Sequence, residues 1–503
     1  MFNDFVIISL NMKFKALFGL LFANFLVFGQ SVDMTVLTGT SIVVEPDTKL
    51  FLGGGLSNAG QIELKASSSN YAQLKVSGVV SGAGTVTQSQ YLENGSHLIA
   101  SSVASGFSTT SGDNSKLYPF DALNGNWATM GSALSTVGVG FAARVSASQI
   151  PFLLSSGNFS VTGVPNTSAN WTISNSSLAT TTGSGSGWNL LGNPYTCGLD
   201  FSGVYSANSN LLSNAFYVWD ASLNSGQGGY QYYSGGGISS SVIPPLQGFW
   251  VQALPAQTGS VSTTMASDGT LSSSPIFYKS LPDNLELKFT RISDTSIFDR
   301  LWISNIQGSN LNYDPAFDAW KMSNGPTVPM AYTEFSGERF AINAFDFVQN
   351  ASVPVGFSEN IIGTKYLVTL NQRVSDREYL VYLEDRFFNH LHDLTKGNYS
   401  FTHVSWTQEE PRFVLHFFDS FGLDSDEHVE TSSFKAYQSG PNIILQHKGC
   451  GFYRFSSSNG QLLSSGQLLD GVQLIQAPDA SGVYIIQLDC DAHYEIQKIY
   501  IQK

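Results

Sequence analysis

The stretch LELKFT at residues 285–290 alternates apolar and polar side chains, and residues 366–370 and 412–417 do the same. A period of two places every second side chain on one face of an extended strand, so each stretch is predicted to be a strand with one buried face. Long helices are not expected, because only 12% of the 503 residues are charged and surface helices are rich in Glu, Lys and Arg. We therefore predict an all-β, multidomain chain with an antiparallel β-sandwich over residues 276–418.

Charge almost disappears upstream of this sandwich. Residues 96–280 contain eight charged side chains, and Ser, Thr, Asn and Gly dominate the rest of the polar composition. These residue types favour turns and paired strands over helices, so residues 96–257 are predicted to form another antiparallel β-sandwich. Residues 258–275 are rich in Ser, Thr and Gly without an apolar period, and we predict that they form a linker.

Short strand patterns recur about every ten residues between residues 30 and 95. Gly-rich stretches separate them, for example at residues 53–55 and 81–84. This spacing predicts a short N-terminal stack of strands or a series of hairpins, and it does not decide between the two.

The N-terminus carries the pattern of an export signal. Two lysines precede an apolar run at residues 16–28, and the small residue Gly29 follows it. A basic start, an apolar run of this length and a small residue at its end are typical of a secretory signal peptide. We predict that residues 1–29 are this signal peptide, with Met12 as an alternative start. No later segment is apolar enough to span a bilayer, so we expect no transmembrane span.

Residues 433–503 are predicted to form a separate small β-domain. The acidic residues 419–432 precede it and are predicted to be a solvated linker. Within the domain, Asn459 and Gly460 stand between two strand patterns. Because both residue types tolerate a positive φ angle, the pair predicts a hairpin with a two-residue turn.

Three segments of this small domain carry a family resemblance. They are NGQLL at residues 459–463, SGVYII at residues 481–486 and KIYI at residues 498–501, in this order up to the chain end. Together they resemble the type A C-terminal sorting domain of type IX secretion cargo, which implies a small immunoglobulin-like fold. The matching residues are Asn459, Gly460, Gly482, Val483, Tyr484 and Lys498.

The resemblance implies an export route. In this family the signal peptide leads to the periplasm, and the type IX secretion machinery of the outer membrane of Gram-negative bacteria recognises the folded sorting domain. Removal of that domain then leaves the body of the protein tethered to surface lipopolysaccharide or released. Segments upstream also resemble motifs of such surface proteins, among them WNLLGNPY at residues 188–195 and LED at residues 383–385.

Two clusters have residue types that could bind a metal ion. His390 and His392 would share one face of a strand, but an exposed strand edge is the favoured interpretation. Asn312, Asp314 and Asp318 could supply oxygen ligands, yet they lack the spacing of a calcium loop, and a solvated turn is favoured. No catalytic, cofactor or metal site is therefore predicted.

Cysteine and aromatic residues leave further alternatives open. An exported chain can form disulfides, so Cys450 and Cys490 are predicted either to be bridged or to remain free thiols. Cys197 is predicted to be a buried small hydrophobe. Tyr217 and Trp219 lie two residues apart in a strand pattern and would share a face. They could stack on a sugar ring, but burial beneath a hairpin partner is favoured.

Two functional classes remain. The preferred one is a non-catalytic secreted or cell-surface protein, acting as an adhesin, a matrix element or a module that binds a glycan or protein ligand. A net charge of −14 argues against nucleic acid as the partner. The alternative is a secreted glycan-directed hydrolase, which needs two carboxylates. In the charge-poor segment the acids available for it are Asp113, Asp121, Asp200, Asp220 and Asp268.

Overall fold

A computed structural model describes most of the chain, and its described residues are almost entirely β. They are residues 25–28, 33–104, 117–128, 137–146, 154–155, 157–175, 186–235, 240–271, 284–325, 327–347, 352–373, 379–408, 410–419, 434–447, 451–468, 471–490 and 493–502. Within them lie many strands and three short helices, which confirms the all-β, multidomain prediction. The chain forms two compact units. Unit 1 comprises Met1–Val381 and Leu394–Phe418, and unit 2 comprises Tyr382–Asp393 and Asp419–Lys503.

Nine strands at the start of unit 1 form a parallel stack of three turns. They are β1 Phe25–Phe28, β2 Met34–Val36, β3 Ser41–Val44, β4 Lys49–Leu52, β5 Leu56–Asn58, β6 Gln61–Leu64, β7 Gln73–Val76, β8 Val80–Ser81 and β9 Thr85–Leu92. Each turn adds one strand to each of three parallel sheets, β1-β4-β7, β2-β5-β8 and β3-β6-β9. The structure therefore has the predicted strand stack and not the hairpins. Strand β1 lies within the predicted signal peptide, whose other residues lie outside the described part of the chain.

The corners of the stack depend on small residues and one buried amide. A Cβ atom on Gly55 would lie 2.8 Å from the carbonyl oxygen of Val79, so the backbones of successive turns approach too closely for a side chain there. Asn58 is 2% exposed. Its Oδ1 accepts from the Gly60 N–H at 3.0 Å and its Nδ2 donates to the Thr85 carbonyl at 3.2 Å. The Asn58 side chain thus supplies hydrogen-bond partners to the backbone at this corner.

The charge-poor segment continues directly from the stack. Its elements are β10 Gly95–Ala100, β11 Leu117–Asp121, β12 Asn126–Trp127, β13 Gly140–Ser146, β14 Leu154–Ser155, β15 Gly157–Gly163, β16 Ser168–Ser174, β17 Trp188–Gly192, β18 Gly198–Asp200, α1 Phe201–Asn208, β19 Leu212–Asp220, α2 Leu223–Gly226, β20 Gly229–Ser234, β21 Val242–Ile243, β22 Gly248–Ala253, β23 Thr258–Thr264, α3 Met265–Asp268 and β24 Gly269–Thr270. One sheet has the order β17-β22-β19-β20, and another has β10-β13-β11-β12. Side chains of the stack and of this segment share one hydrophobic core.

The predicted linker at residues 258–275 is wrong for its described part. Strand β23 pairs with β16 along its whole length, and Met265 in α3 is fully buried in the shared core. The strand has a period of two that Ser and Thr conceal, because Val261 and Thr263 are buried while Ser260, Ser262 and Thr264 are exposed. Ser and Thr at the exposed positions of a strand resemble a linker in composition alone.

The rest of unit 1 is one large, mainly antiparallel sheet. Its strands are β25 Asn284–Arg291, β26 Phe298–Asn305, β27 Ala319–Trp320, β28 Met330–Phe335, β29 Glu338–Phe345, β30 Ser352–Ser358, β31 Lys365–Arg373, β34 Tyr399–Thr402 and β35 Phe413–Asp419; between β31 and β34 the chain forms β32 Tyr379–Asp385 and β33 His390–Asp393. From β35 onward the sheet order runs β35-β30-β28-β29-β26-β25-β31-β34. Phe413 of β35 nevertheless lies 4.9 Å from Phe401 of β34, ring centre to ring centre. The sheet therefore folds back on itself around an aromatic core, as a sandwich does.

Residues 434–502 form a small sandwich within unit 2. Its strands are β36 Phe434–Ser439, β37 Asn442–His447, β38 Gly451–Ser457, β39 Leu462–Leu468, β40 Gly471–Gln476, β41 Gly482–Cys490 and β42 His493–Ile501. One sheet has the order β36-β37-β40 and the other β39-β38-β41-β42. The first, second and fifth strands thus face the third, sixth and seventh, as in immunoglobulin-like domains. The fourth strand joins the second of these sheets.

Candidate functional site

The outward side of the β39-β38-β41-β42 sheet carries exposed apolar side chains. Phe452 is 61% exposed, Val483 47%, Ile496 57% and Tyr500 63%. Val483 and Tyr500 are direct cross-strand neighbours, and Lys498 is exposed on the same strand as Tyr500. We call these five residues the outer apolar face. Large apolar side chains gathered on one exposed face are typical of interaction surfaces.

The Asn459 and Gly460 pair lies in the turn between β38 and β39, but the turn differs from the prediction. Ser457 accepts from the Gly460 N–H at 2.9 Å and donates its own N–H to the Gln461 carbonyl at 3.0 Å. Gly460 has a φ of +84°, whereas Asn459 is not in the positive-φ region. The turn is therefore a longer loop with a single left-handed residue. Asn459 Oδ1 instead accepts from the Gln461 N–H at 3.4 Å and from the Ser457 hydroxyl.

Tyr484 fastens the connection between β40 and β41. It stands near the start of β41, is 7% exposed, and its hydroxyl donates to the Ala480 carbonyl at 2.7 Å. A tyrosine at this place that bonds back to the preceding connection is the tyrosine corner of immunoglobulin-like sandwiches. Gly482 begins the same strand. Among the matching residues, Gly460 and Tyr484 thus stabilise the domain, while Val483 and Lys498 face outward.

The two aromatic residues predicted as alternatives for sugar stacking have different environments. Tyr217 is fully buried, and its hydroxyl accepts from the Trp320 N–H at 2.9 Å. Burial raises its pKa well above the usual value. Trp219 is partly exposed and packs edge-on against Tyr230 at 4.9 Å. The favoured prediction of burial is therefore confirmed for Tyr217, which belongs to the core.

The aromatic cluster around Tyr217 extends through Trp188 and Trp250 to an exposed tryptophan that the sequence analysis missed. Trp127 is 48% exposed and lies 5.5 Å from Phe120 and 5.6 Å from Trp250, ring centre to ring centre. Trp188 lies 6.5 Å from Trp250. We call Phe120, Trp127, Trp188 and Trp250 the aromatic surface, in which Trp127 is the exposed ring and Trp250, at 5% exposure, is the buried ring beneath it. Only the two-residue strand β12 presents Trp127, and so short a strand has no periodic pattern to reveal it.

A tight turn positions Trp127. Asp121 ends β11 and accepts from the backbone N–H groups of Leu123 at 3.0 Å and Asn124 at 3.2 Å, and from the Asn124 amide at 2.6 Å. The side-chain hydrogen bond from Asn124 is the main cause that lowers the pKa of Asp121. Gly125 follows with a φ of +65°. The chain therefore reverses within the turn and returns Trp127 to pair with Phe120.

The carboxylates available to a hydrolase are engaged in local structure. Asp220 accepts from the N–H of Ser222 at 3.0 Å and from its hydroxyl at 2.6 Å. Asp268 accepts from the hydroxyl of Thr263 at 2.6 Å. Of the remaining candidate acids in the charge-poor segment, Asp121 and Asp200 likewise accept hydrogen bonds from nearby residues. Asp113 lies outside the described residues.

The predicted metal alternatives are separate features of unit 1 and unit 2. His390 and His392 lie side by side on β33, with ring centres 6.2 Å apart. Asp318 is fully buried, and its oxygens accept from the N–H groups of Asp314 and Ala344, each at 2.7 Å. Burial raises the pKa of Asp318 to about 8. In the described part of the chain, no group of three or more His, Cys, Asp or Glu side chains could hold a metal ion.

Of the three cysteines, the structure describes the side chain of Cys197. Cys197 is a buried free thiol, and burial raises its pKa to about 12. Cys450 and the side chain of Cys490 lie outside the described residues, so their bridge stays a prediction. Among the described residues no helix is both long enough and apolar enough to cross a membrane.

Comparison with known proteins assigns the larger part of the chain to a family. No curated protein matches it at a significant level. A family model described as a domain of unknown function (DUF8693) matches residues 22–417. The match covers well over half of the chain and ends before the immunoglobulin-like domain. The chain therefore belongs to the DUF8693 family.

Proposed function

We propose that this chain is a secreted or cell-surface protein that the type IX secretion machinery exports through residues 433–503. The observation that supports the proposal is that the residues carrying the resemblance lie in a small immunoglobulin-like sandwich. Gly460 forms its left-handed turn residue and Tyr484 its corner. A stable fold is what a machinery that recognises folded cargo requires.

We propose that the secretion machinery binds the outer apolar face. Phe452, Ile496 and Tyr500 are each more than half exposed. Exposed side chains of this size lower solubility, so their presence on one sheet face favours a binding role. Lys498 supplies a positive charge among them.

Variants of this face provide the test. In a host with the type IX machinery, Ile496→Ser is expected to leave the protein in the periplasm, while Ile362→Ser is expected to be exported normally. Both isoleucines are 57% exposed, and Ile362 lies in unit 1, so the pair is matched in exposure and chemistry. Normal export of the Ile496 and Phe452 serine variants together would contradict this assignment of the surface.

The DUF8693 region is then the cargo, and we propose that it binds a glycan or protein ligand at the cell surface as an adhesin or matrix element. Tethering to lipopolysaccharide would hold it there after export. The aromatic surface supports glycan binding, because Trp127 presents a large apolar ring beside Phe120 and Trp250 and aromatic rings stack on the apolar faces of sugars.

A glycan array with the exported form tests this second step. Trp127→Ala should abolish binding, and Trp406→Ala should not, because Trp406 is a partly exposed tryptophan outside the aromatic surface. Equal binding by both variants would refute the assignment. A hydrolase screen on the same protein tests the alternative function, that of a secreted glycan-directed hydrolase. Turnover that Asp220→Ala abolishes would favour the hydrolase over the non-catalytic role.

A further inference from the structure

Unit 2 contains a hairpin from an earlier part of the chain. Residues 382–393, formed by the end of β32 and by β33, belong to the same compact unit as the immunoglobulin-like domain. The hairpin carries the LED segment at residues 383–385. Peptide bonds join its two ends to residues 381 and 394, which lie in unit 1. The hairpin is therefore covalently continuous with the DUF8693 region on both sides.

A buried carboxylate joins the hairpin to the domain. Glu384 is fully buried. Its Oε2 accepts from the Ser439 hydroxyl at 2.7 Å, and its Oε1 accepts from the Asn442 amide at 3.3 Å. A charge taken out of water is stable only while such partners stay in place. Separation of the hairpin from the domain would leave Glu384 and the amide of Asn442 without these partners.

The connection between β36 and β37 supplies a second set of contacts. The Asn442 amide also donates to Asn389 Oδ1 at 2.7 Å, so one side chain of the domain binds two residues of the hairpin. Arg386 Nε lies 4.0 Å from Glu384 Oε1. The guanidinium packs over Gly440, where a Cβ atom would lie 3.2 Å from Arg386 Cζ. The polar contacts are thus backed by close packing.

We propose that the C-terminal domain is held noncovalently by this hairpin and stays bound after the backbone is cut between residues 419 and 433. We call Glu384, Asn389, Ser439 and Asn442 the latch. Proteolysis in the predicted acidic linker, whose residues 420–432 lie outside the described part of the chain, is then insufficient for release, and a separate event must break the contacts of the latch. This inference goes beyond the proposed function, since it concerns the association of two parts of the chain and holds whatever route exports the protein.

The test uses the full chain with a specific protease site placed between residues 424 and 430. After complete cleavage at micromolar concentration, the two pieces should elute together from a sizing column and separate only in denaturant. Independent elution of the wild-type pieces would overturn the proposal. Since one hydrogen bond to a charged group is lost, Ser439→Ala should weaken the association of the pieces about 10- to 100-fold.

Two further variants distinguish the specific contacts of the latch from nonspecific association of the two pieces. Glu384→Ala should release the domain on cleavage, whereas Asp489→Ala, which removes an exposed carboxylate from the same domain, should leave the association unchanged. Hydrogen exchange of the uncut variants shows whether each domain is folded. If folded Ser439→Ala and Glu384→Ala proteins hold the domain as tightly as the wild type, the latch is wrong.

Discussion

The corner residue Tyr484 offers a quantitative prediction for the C-terminal domain. Tyr484→Phe removes one hydrogen bond of 2.7 Å to the Ala480 carbonyl and keeps the ring, which packs 5.5 Å from Phe455. A neutral hydrogen bond contributes about 0.5–1.5 kcal/mol net. We therefore expect the domain to lose about 1 kcal/mol of stability, which for so small a domain corresponds to a fall in Tm of about 4–8 °C.

Hydrogen exchange measured by mass spectrometry checks this value in the full chain. A loss of about 1 kcal/mol accelerates exchange roughly fivefold in the protected amides of β41, while peptides from unit 1 should be unaffected. Tyr500→Phe is the matched control, because Tyr500 is 63% exposed on the neighbouring strand. Unchanged exchange in Tyr484→Phe, or equal acceleration in both variants, would refute the assignment of Tyr484 as a tyrosine corner.

Three further predictions concern the turn, the corrected linker and a buried acid. Gly460→Ala should destabilise the C-terminal domain by about 1 kcal/mol, because its φ is +84° and alanine is strained there; exchange in β38 and β39 reports it, and an unchanged rate contradicts it. Met265→Ala should lower the free energy of unfolding of unit 1 by about 2–5 kcal/mol, because Met265 is a core residue, whereas the same change in a linker would leave it unaltered. Tryptophan fluorescence in urea measures this loss, since all eight tryptophans lie in unit 1. Asp318 has a pKa raised to about 8, so the folded state keeps a proton that the unfolded state releases near pH 4. The free energy of unfolding of unit 1 should therefore fall by up to roughly 1.4 kcal/mol per pH unit as the pH rises from 4 to 8. The same urea curves should show a flatter pH dependence for Asp318→Asn, and an equal slope in both proteins would refute this.

Local patterns predicted the strands wherever apolar residues mark the buried face. Residues 285–290 lie in β25 and residues 366–370 in β31. The same rule failed at β23, where Ser and Thr fill exposed positions and a buried position alike. Local spacing also left the N-terminal strands open between a stack and hairpins, because the parallel pairing of Phe25, Lys49 and Gln73 joins residues far apart in the chain.

The candidate site was less predictable, since the exposure of a side chain and the residues it contacts depend on the tertiary structure. Tyr217 and Trp219 share a strand face in the sequence, yet Tyr217 is a core residue because Trp188 and Tyr232 pack against its ring. Trp127 becomes conspicuous only when Trp250 lies beside it. The partners of Glu384 likewise follow more than fifty residues later in the chain, beyond the reach of any spacing rule.

The central claim is export through the C-terminal domain, and the location of the unaltered protein tests it most directly. The full chain is expressed in a host with the type IX machinery and in the same host without it, and its location and mass are measured in cell fractions. We expect the protein at the cell surface or in the medium of the first host and in the periplasm of the second. Equal amounts outside both hosts would contradict the account.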